Sequence, residues 1–337
     1  MQPDHTYIIA EAGVNHNGRL DLALKLCDAA KEAGVDAVKF QTWKTEKIVA
    51  PDTPTADYQA RNIGDETCSQ FAMLKQLELS YDSFRAIRDY CREIGITFLS
   101  TPDEEDSLRF LVDVLDLPLI KVGSGEVTNI PYLRKIGQCH KPVILSTGMS
   151  TLEQVRRAYS TLEQAGADGI SLLHCTTNYP CPPDEVNLRA MLTLRDTFNC
   201  PVGYSDHTLG IEVPVAAVAL GAQIIEKHFT LDRSMPGPDH AASLDPAGLK
   251  AMVTAIRNIE QALGDGVKRP NNSELAIATV VQKSIVASRH IAKGETLTED
   301  NLTVKRVGGQ LSASDWDLTI GLVSQHDYQP DQPIIPQ

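Results

Sequence analysis

The stretch Lys121-Val-Gly-Ser-Gly-Glu126 places a cation, two glycines, a hydroxyl and a carboxylate within six residues. The apolar run before it, 117–120, is short enough for a buried strand, and a helical pattern begins at Pro131. Glycines let a backbone turn tightly and approach a ligand, and a helix N-terminus favours an anion such as phosphate. The stretch therefore predicts an anion site with Glu126 as a candidate acid or base, although an ordinary strand-to-helix turn has the same composition.

The same unit, a short apolar strand followed by polar residues and a helix, recurs along the chain. Strands are predicted at 7–10, 37–41, 96–99, 117–120, 142–145, 169–173, 201–204 and 223–227. Eight such units within residues 1–265 favour an α/β fold of the (β/α)8 TIM-barrel type over an open doubly wound sheet.

Three local expectations accompany this fold. Residues 43–80 are expected to form a long polar connection, and 103–115 a helix. Ser150 and Glu153 have capping-box spacing, which predicts the start of another helix.

Polar side chains stand at or just beyond the C-terminal ends of these strands. In a barrel those ends meet at one mouth, where active sites of this fold lie. The pattern therefore indicates an enzyme. The residues are Glu11, Lys39, Gln41, Thr101, Lys121, Ser124, Glu126, Ser146, His174, Ser205, His207, Glu226 and His228.

Composition excludes several classes of partner. The net charge is −13 and no stripe of Lys and Arg occurs, so nucleic acid and anionic membranes are not expected. The N-terminus has no basic region with an apolar run, and no apolar segment reaches the length of a membrane span. The seven cysteines include no Cys-x-x-Cys pair and are expected to be reduced thiols of a cytoplasmic protein.

Two histidines suggest a metal. His207 and His228 end adjacent strands, and two imidazoles with open positions beside them suit a divalent transition metal. Such a metal would polarise a substrate aldehyde. The alternative is a hydrogen-bonded pair of histidines without metal.

Two lysines suggest the charge of the substrate. Lys39 and Lys121, with hydroxyls around the same mouth, suit a small phosphorylated carboxylate. The competing interpretation is a Schiff-base lysine. The hydroxyls are those of Ser124, Ser146, Thr147 and Ser205.

Carboxylates complete the candidate site. Glu11, Glu126 or Glu226 could position or deprotonate a water, or pair with a lysine. Asp239, in the turn Pro236-Gly-Pro-Asp239, could hold a sugar hydroxyl or a water beside the metal, or simply cap a helix. Tyr179 could line the substrate pocket or pack.

The C-terminal part differs in character. Residues 266–283 are expected to be a linker, and 284–337 a small β-rich domain that follows the catalytic barrel of 1–265.

Eight motifs in order resemble the sialic acid synthases, the N-acetylneuraminate synthase family that includes bacterial legionaminate synthases. The C-terminal domain is similar to their SAF (antifreeze-like) domain. The motifs are Ala10-Glu-Ala-Gly-Val-Asn-His-Asn-Gly18, Val38-Lys-Phe-Gln41, Ser100-Thr-Pro102, Lys121-Val-Gly-Ser-Gly-Glu126, Leu145-Ser-Thr-Gly-Met149, Tyr204-Ser-Asp-His207, Glu226-Lys-His-Phe229 and Pro236-Gly-Pro-Asp239.

The resemblance implies that phosphoenolpyruvate condenses with the open-chain aldehyde of an N-acylated mannosamine, with C–O cleavage and release of phosphate. It implies Mn²⁺ or another divalent metal on His207 and His228, and catalytic roles for Glu126, Glu11 and Lys121. Phosphoenolpyruvate would contact Lys39, Thr101, Lys121, Ser124, Ser146 and Ser205, and the sugar would contact Glu11, Gln41, Tyr179, Asp239 and Arg306. It also implies a domain-swapped homodimer.

Two departures from the family pattern concern the substrates. Thr177 stands where many members have Asn, and the loop after Arg306 reads Val-Gly-Gly309. N-acetylneuraminate synthesis is the favoured prediction, with legionaminate synthesis from 2,4-diacetamido-2,4,6-trideoxymannose as the alternative. A Schiff-base sugar-acid lyase and a non-catalytic sugar-binding protein are the alternatives of other classes.

Overall fold

The computed structural model describes residues 5–55, 69–308 and 311–336. The chain divides into two compact units, Met1–Gly264 and Asp265–Gln337.

The first unit is built on eight parallel strands. They are β1 Tyr7–Gly13, β2 Ala37–Thr42, β3 Thr97–Pro102, β4 Ile120–Val122, β5 Val143–Ser146, β6 Ile170–Cys175, β7 Val202–Asp206 and β8 Ile224–His228. Hydrogen bonding runs in the order β3-β2-β1-β8-β7-β6-β5-β4, and β3 and β4 pack together to close the ring. The predicted (β/α)8 TIM barrel is confirmed.

Helices connect the strands. They are α1 Leu20–Ala33, α2 Thr45–Ile48, α3 Gln70–Leu77, α4 Tyr81–Ile94, α5 Glu105–Arg109, α6 Ile130–Gly137, α7 Leu152–Ala165, α8 Ala190–Phe198, α9 Glu212–Ala219 and α10 Pro246–Leu263. α1 ends at Gly34 and α4 at Gly95, both with the left-handed backbone (φ 83° and 72°) that glycine adopts without strain.

Two helix predictions need correction. The capping box of α7 lies one residue later than expected, because the extended residue before the helix is Thr151, whose hydroxyl accepts from the Gln154 N–H. The helix expected at 103–115 begins at Glu105 and passes into a π-helical turn, Phe110–Val114.

The prediction of a long polar connection at 43–80 is also wrong in part, because helices α2 and α3 form near its two ends. Ser69 caps α3, and Met73 and Leu77 are buried against Val14 and Trp43. A small apolar cluster therefore orders this end of the connection, whereas residues 56–68 lie outside the described residues.

The barrel interior explains why polar residues gather at the mouth. Its apolar layer consists of Ile9, Ala37, Leu99, Ile144, Leu173 and Ile224. Side chains alternate along a strand, so residues two and four positions after each of these also point inward. Most of those positions carry polar side chains, the exceptions being Gly13, Gly148 and Cys175. The opposite face of each strand packs against the helices.

The second unit contains α11 Asn272–Val281, β9 Ser284–Ala287, β10 Leu302–Lys305 and α12 Trp316–Thr319. β9 and β10 pair antiparallel, with Ala287 opposite Leu302. Ile285, Ile291 and Tyr328 lie in its small core. The stretch expected as a linker thus carries a ten-residue helix, which opens with a capping box of Asn271 and Glu274. Nowhere in the described ranges is a helix both long enough and apolar enough to cross a bilayer.

Candidate active site

Two layers of polar side chains stand above the apolar layer and line a cavity of about 180 Å³ at the C-terminal ends of the strands. The structure brings together most of the predicted site residues here. The lining includes Glu11, Lys39, Gln41, Thr101, Lys121, Ser124, Ser146, Tyr179, Ser205, Glu226, His207 and His228.

Lys39 is held by three groups in the lower layer. Its Nζ lies 2.6 Å from Oε2 of Glu11 and donates to the Thr101 hydroxyl at 3.1 Å. Oε2 of Glu226 lies 3.8 Å away. Burial opposes the charge on Lys39, but the two carboxylates outweigh it and raise the pKa of the ammonium.

Lys121 faces the same carboxylate from the other side. Its Nζ donates to the Ser146 hydroxyl at 2.8 Å and lies 3.4 Å from Oε1 of Glu226. Burial lowers the pKa of Lys121, although Glu226 opposes the shift.

Glu226 therefore bridges two buried lysines. Burial alone would raise the pKa of this carboxyl, but Lys121 and Lys39 lower it to about 2. Ser205 donates to Oε1 at 3.1 Å. The sequence placed Glu226 at the mouth, but its shared position between the lysines depends on strands that are distant in the chain.

The turn after β4 supplies backbone to the cavity. Gly123 and Gly125 line it, with Ser124 between them in a short 3-10 turn that precedes α6. A Cβ on the neighbouring Gly148 would lie 2.3 Å from Oγ1 of Thr177 and 2.9 Å from Oγ of Ser124, so only glycine allows these hydroxyls to converge.

Thr177 has a hydroxyl suited to a ligand. Its Oγ1 is buried without a hydrogen-bond partner, and the residue lines the cavity. A buried hydroxyl without a partner is costly, and an anion in the cavity would satisfy it.

His207 and His228 lie side by side at the rim, with ring centroids 5.4 Å apart. The backbone carbonyl of Thr176 accepts from Nδ1 of His207 at 2.6 Å, which leaves Nε2 of that ring with a lone pair. Nδ1 of His228 is buried without a hydrogen-bond partner. Burial lowers the pKa of both rings, so they are neutral at pH 7.

Neutral imidazoles with available nitrogens fit a divalent transition metal. In the part of the chain that the structure describes, no group of three or more His, Cys, Asp or Glu side chains is arranged to hold a metal. Water or substrate would therefore have to complete the coordination.

The predicted sugar contacts surround the histidines. The Tyr179 ring lies 4.2 Å from that of His207, centroid to centroid. Gln41 donates to Oε1 of Glu11 at 3.2 Å, and Oδ2 of Asp239 lies 3.8 Å from Nδ1 of His228. Burial raises the pKa of Glu11 to about 7 and that of Asp239 to about 6.

Several predicted residues do not line this cavity. The Glu126 carboxylate is half-buried beside the turn and accepts from Asn129 at 2.6 Å. Thr147, directly after β5, donates to the Leu173 carbonyl, and His174 of β6 bonds the Val186 carbonyl, so both side chains point away from the cavity. Arg306 is an exposed residue of the second unit, directly after β10.

Four lining side chains were not predicted as site residues. They are those of Asp103, Met149, Cys175 and Thr177. Burial, with a further contribution from Glu126, raises the pKa of Asp103 to about 7. Once the structure shows that Leu99 and Leu173 face inward, alternation accounts for three of them, because Asp103 lies four positions after Leu99, and Cys175 and Thr177 lie two and four after Leu173.

The fold and the mouth define a class: a (β/α)8-barrel enzyme with a polar site at the strand ends, followed by a small β-rich domain. The family model described as the NeuB family matches residues 26–268, and the SAF domain model matches residues 282–337. The chain belongs to the NeuB family.

Two curated relatives and one solved structure are consistent with this family membership. The chain is 46% identical to the N,N'-diacetyllegionaminic acid synthase of Campylobacter jejuni subsp. jejuni serotype O:2 over 97% of this chain and 98% of the relative. It is also 46% identical to the synthase of the same name from Legionella pneumophila subsp. pneumophila, over 94% of this chain and 89% of the relative. The crystal structure of the N-acetylneuraminic acid (sialic acid) synthetase from Leptospira borgpetersenii serovar Hardjo-bovis matches 82% of this chain and 92% of that one, with 32% identity and a TM-score of 0.70. The protein is thus a transferase-type synthase.

Proposed function

We propose that this enzyme condenses phosphoenolpyruvate with an N-acylated mannosamine-type sugar to give a nonulosonic acid. C3 of phosphoenolpyruvate forms a bond to the aldehyde carbon of the open-chain sugar, and a water adds to C2. The bond between C2 and the phosphate oxygen then breaks, so that inorganic phosphate leaves.

One observation carries the proposal. Two buried lysines converge on Glu226 in a cavity that also contains the Thr101, Ser146 and Thr177 hydroxyls, beside two neutral histidines. Cations, hydroxyls and glycine-lined backbone together suit a small molecule with both a phosphate and a carboxylate.

The histidines suit activation of the aldehyde. We propose that His207 and His228 hold Mn²⁺ or another divalent cation, which would act as a Lewis acid toward the sugar aldehyde. Because the enol carbon is a weak nucleophile, both reactants must also be held in line, and we assign that task to the lysines and to Gln41, Tyr179 and Asp239.

Glu126 is the proposed acid or base. Its carboxylate follows Gly125, which lines the cavity, and burial raises its pKa, which suits a group that moves a proton. The Glu11 carboxylate has different surroundings, because it forms an ion pair with Lys39 and accepts a hydrogen bond from Gln41.

Among the sugars, we favour 2,4-diacetamido-2,4,6-trideoxymannose, which makes legionaminate the product. The support is the shared name of two relatives that are 46% identical over nearly the whole chain. The sequence alone favoured N-acetylmannosamine, which stays the competing substrate.

The test is phosphate release from phosphoenolpyruvate with Mn²⁺ and a sugar panel: the diacetamido sugar, N-acetylmannosamine and its 6-phosphate. We expect the highest kcat/KM with the diacetamido sugar and loss of activity with a chelator. A higher kcat/KM with either of the other two would contradict the choice of sugar, and no release with all three would contradict the proposed reaction.

The Schiff-base alternative has one observation in its favour, because the lowered pKa of Lys121 is what an amine nucleophile needs. Borohydride treatment with pyruvate would trap such an adduct as a covalent mass increase. We expect no increase, since the Lys121 ammonium is bonded to Ser146 and close to Glu226.

We also propose a homodimer in which Arg306 of each chain reaches the sugar at the other chain's mouth, as the resemblance implies. Light scattering should give twice the chain mass, and Arg306→Ala should raise the KM for the sugar. A monomer with full activity would exclude this arrangement.

A further inference from the structure

The motif Asn15-His-Asn-Gly18 follows β1 and has no part in the chemistry described above. β1 pairs with β8, with Glu11 opposite His228, so the segments after these two strands leave the barrel side by side. The segment after β8 runs from Phe229 to Ser243 and carries Asp239.

Asn15 is hydrogen-bonded to both ends of the segment after β8, Phe229 and Ser243. Its side-chain amide donates to the Phe229 carbonyl at 2.8 Å and to the Ser243 hydroxyl at 2.9 Å. That hydroxyl donates in turn to the backbone carbonyl of Asp239 at 2.7 Å. Asn15 is 1% exposed and Ser243 2% exposed, so water does not compete for these bonds.

Asn17 holds the middle of the same segment. Its amide donates to the Pro236 carbonyl at 2.9 Å, and its Oδ1 lies 3.1 Å from Nε2 of His240. The other nitrogen of that ring, Nδ1, bonds the Thr230 hydroxyl at 2.6 Å. The segment is therefore fixed before and after Asp239.

These hydrogen bonds matter because the segment carries Asp239, whose carboxylate lies near His228. Its Oδ2 lies 3.8 Å from Nδ1 of His228, which is too far for a direct hydrogen bond. The position of the carboxylate therefore depends on the backbone that carries it. A misplacement of about 1 Å at a reacting site can cost about 100-fold in rate.

We propose that Asn15 and Asn17 are positioning residues that hold the segment after β8 so that Asp239 faces His228. The role rests on two parts of the proposed function, the Mn²⁺ site at His207 and His228 and the sugar substrate. Mn²⁺ binding can be measured without any sugar, so the two parts are tested separately.

The test compares Ser243→Ala, which removes the link from Asn15 to Asp239, with Ser171→Ala. Ser171 is an 8% exposed serine of β6 that lines a separate cavity near the N-terminal ends of the strands. Three quantities are measured for each purified full-length variant: the Mn²⁺ affinity by calorimetry, and the KM values for the sugar and for phosphoenolpyruvate.

For Ser243→Ala we expect Mn²⁺ affinity to fall about 10-fold or more, the effect typical of groups that orient the surroundings of a metal. The KM for the sugar should rise by a similar factor and that for phosphoenolpyruvate should stay unchanged, since Lys39 and Lys121 lie on other strands. Ser171→Ala should change none of the three.

Unchanged Mn²⁺ affinity would overturn the proposal, as would equal changes in both KM values. If Ser243→Ala does not fold, Asn17→Gly decides the question, because this half-buried residue has a left-handed backbone (φ 50°) that glycine adopts without strain. If the wild type releases no phosphate with any sugar, the proposed function fails, and the Mn²⁺ affinities still decide the positioning role.

Discussion

Nζ of Lys121 lies 3.4 Å from Oε1 of Glu226, and both side chains are buried within the barrel. The other carboxylate oxygen faces Lys39 at 3.8 Å. The Glu226 carboxylate thus lies between two ammonium groups. It holds both lysine side chains in position before any anion binds.

Glu226→Gln should lower the free energy of unfolding by about 3–5 kcal/mol, because it leaves two buried ammonium groups without their shared partner. Phosphoenolpyruvate should raise the melting temperature of the variant more than that of the wild type, since its charge replaces the lost carboxylate. The control is Asp116→Asn. The Asp116 side chain is 78% exposed, and the substitution removes its ion pair with Lys141. Equal melting temperatures for the two variants would refute the bridging role.

His207→Ala should lower bound Mn²⁺ and kcat together, the latter by about 100-fold or more, if Lewis-acid activation is worth several kcal/mol. Metal content by mass spectrometry and phosphate release measure the two. His140→Asn is the control, since His140 is exposed and its left-handed backbone (φ 51°) suits Asn. Turnover that survives the loss of metal would show that the Lewis-acid role is wrong.

Glu126→Gln should leave the Kd for phosphoenolpyruvate unchanged and lower kcat by about 100-fold or more, the usual contribution of a general acid or base. Calorimetry and initial rates separate the two effects. Glu153→Gln, at an 85% exposed position on α7, is the matched control. Normal turnover in Glu126→Gln would remove Glu126 from the chemistry.

Thr177→Val should raise the KM for phosphoenolpyruvate by about 10-fold or more, because a hydrogen bond to a charged ligand is worth about 1.5–3 kcal/mol. The free enzyme should become no less stable, since the buried hydroxyl has no partner there. Thr177→Ser retains the hydroxyl and should keep the wild-type KM. The same KM in the Val variant would place the phosphate elsewhere.

Asp103→Asn should change the pH dependence of stability. The pKa of Asp103 is raised from 3.8 to about 7, mainly by burial, so the native state binds a proton more tightly than the unfolded chain. The stability from this group is complete below about pH 4 and is lost as the pH rises through 7. The variant should therefore exceed the wild type by on the order of 1–3 kcal/mol at pH 8, and match it at pH 4, in urea unfolding. A constant difference across this range would contradict the raised pKa.

The sequence determined the order of elements because each strand of this barrel is a short apolar run closed by glycine or polar residues. It also placed Lys39, Lys121, His207 and His228 at strand ends, which a parallel barrel must bring to one mouth. Helix starts were less certain, as the capping box at Thr151 illustrates, because neighbouring residues offer equally good spacing.

Only the tertiary structure decided which strand-end residues face the cavity. Strands buried on both faces read as continuous apolar runs, so the sequence could not separate Ser146 from Thr147, or Cys175 from His174. Closure of the barrel fixed that choice, since the inward face is the one that packs on the interior apolar layer. It also brought Glu226 between two lysines more than 100 residues away in the chain, and Asn15 against Ser243. Contacts between such distant residues leave no local pattern and depend on the register of neighbouring strands.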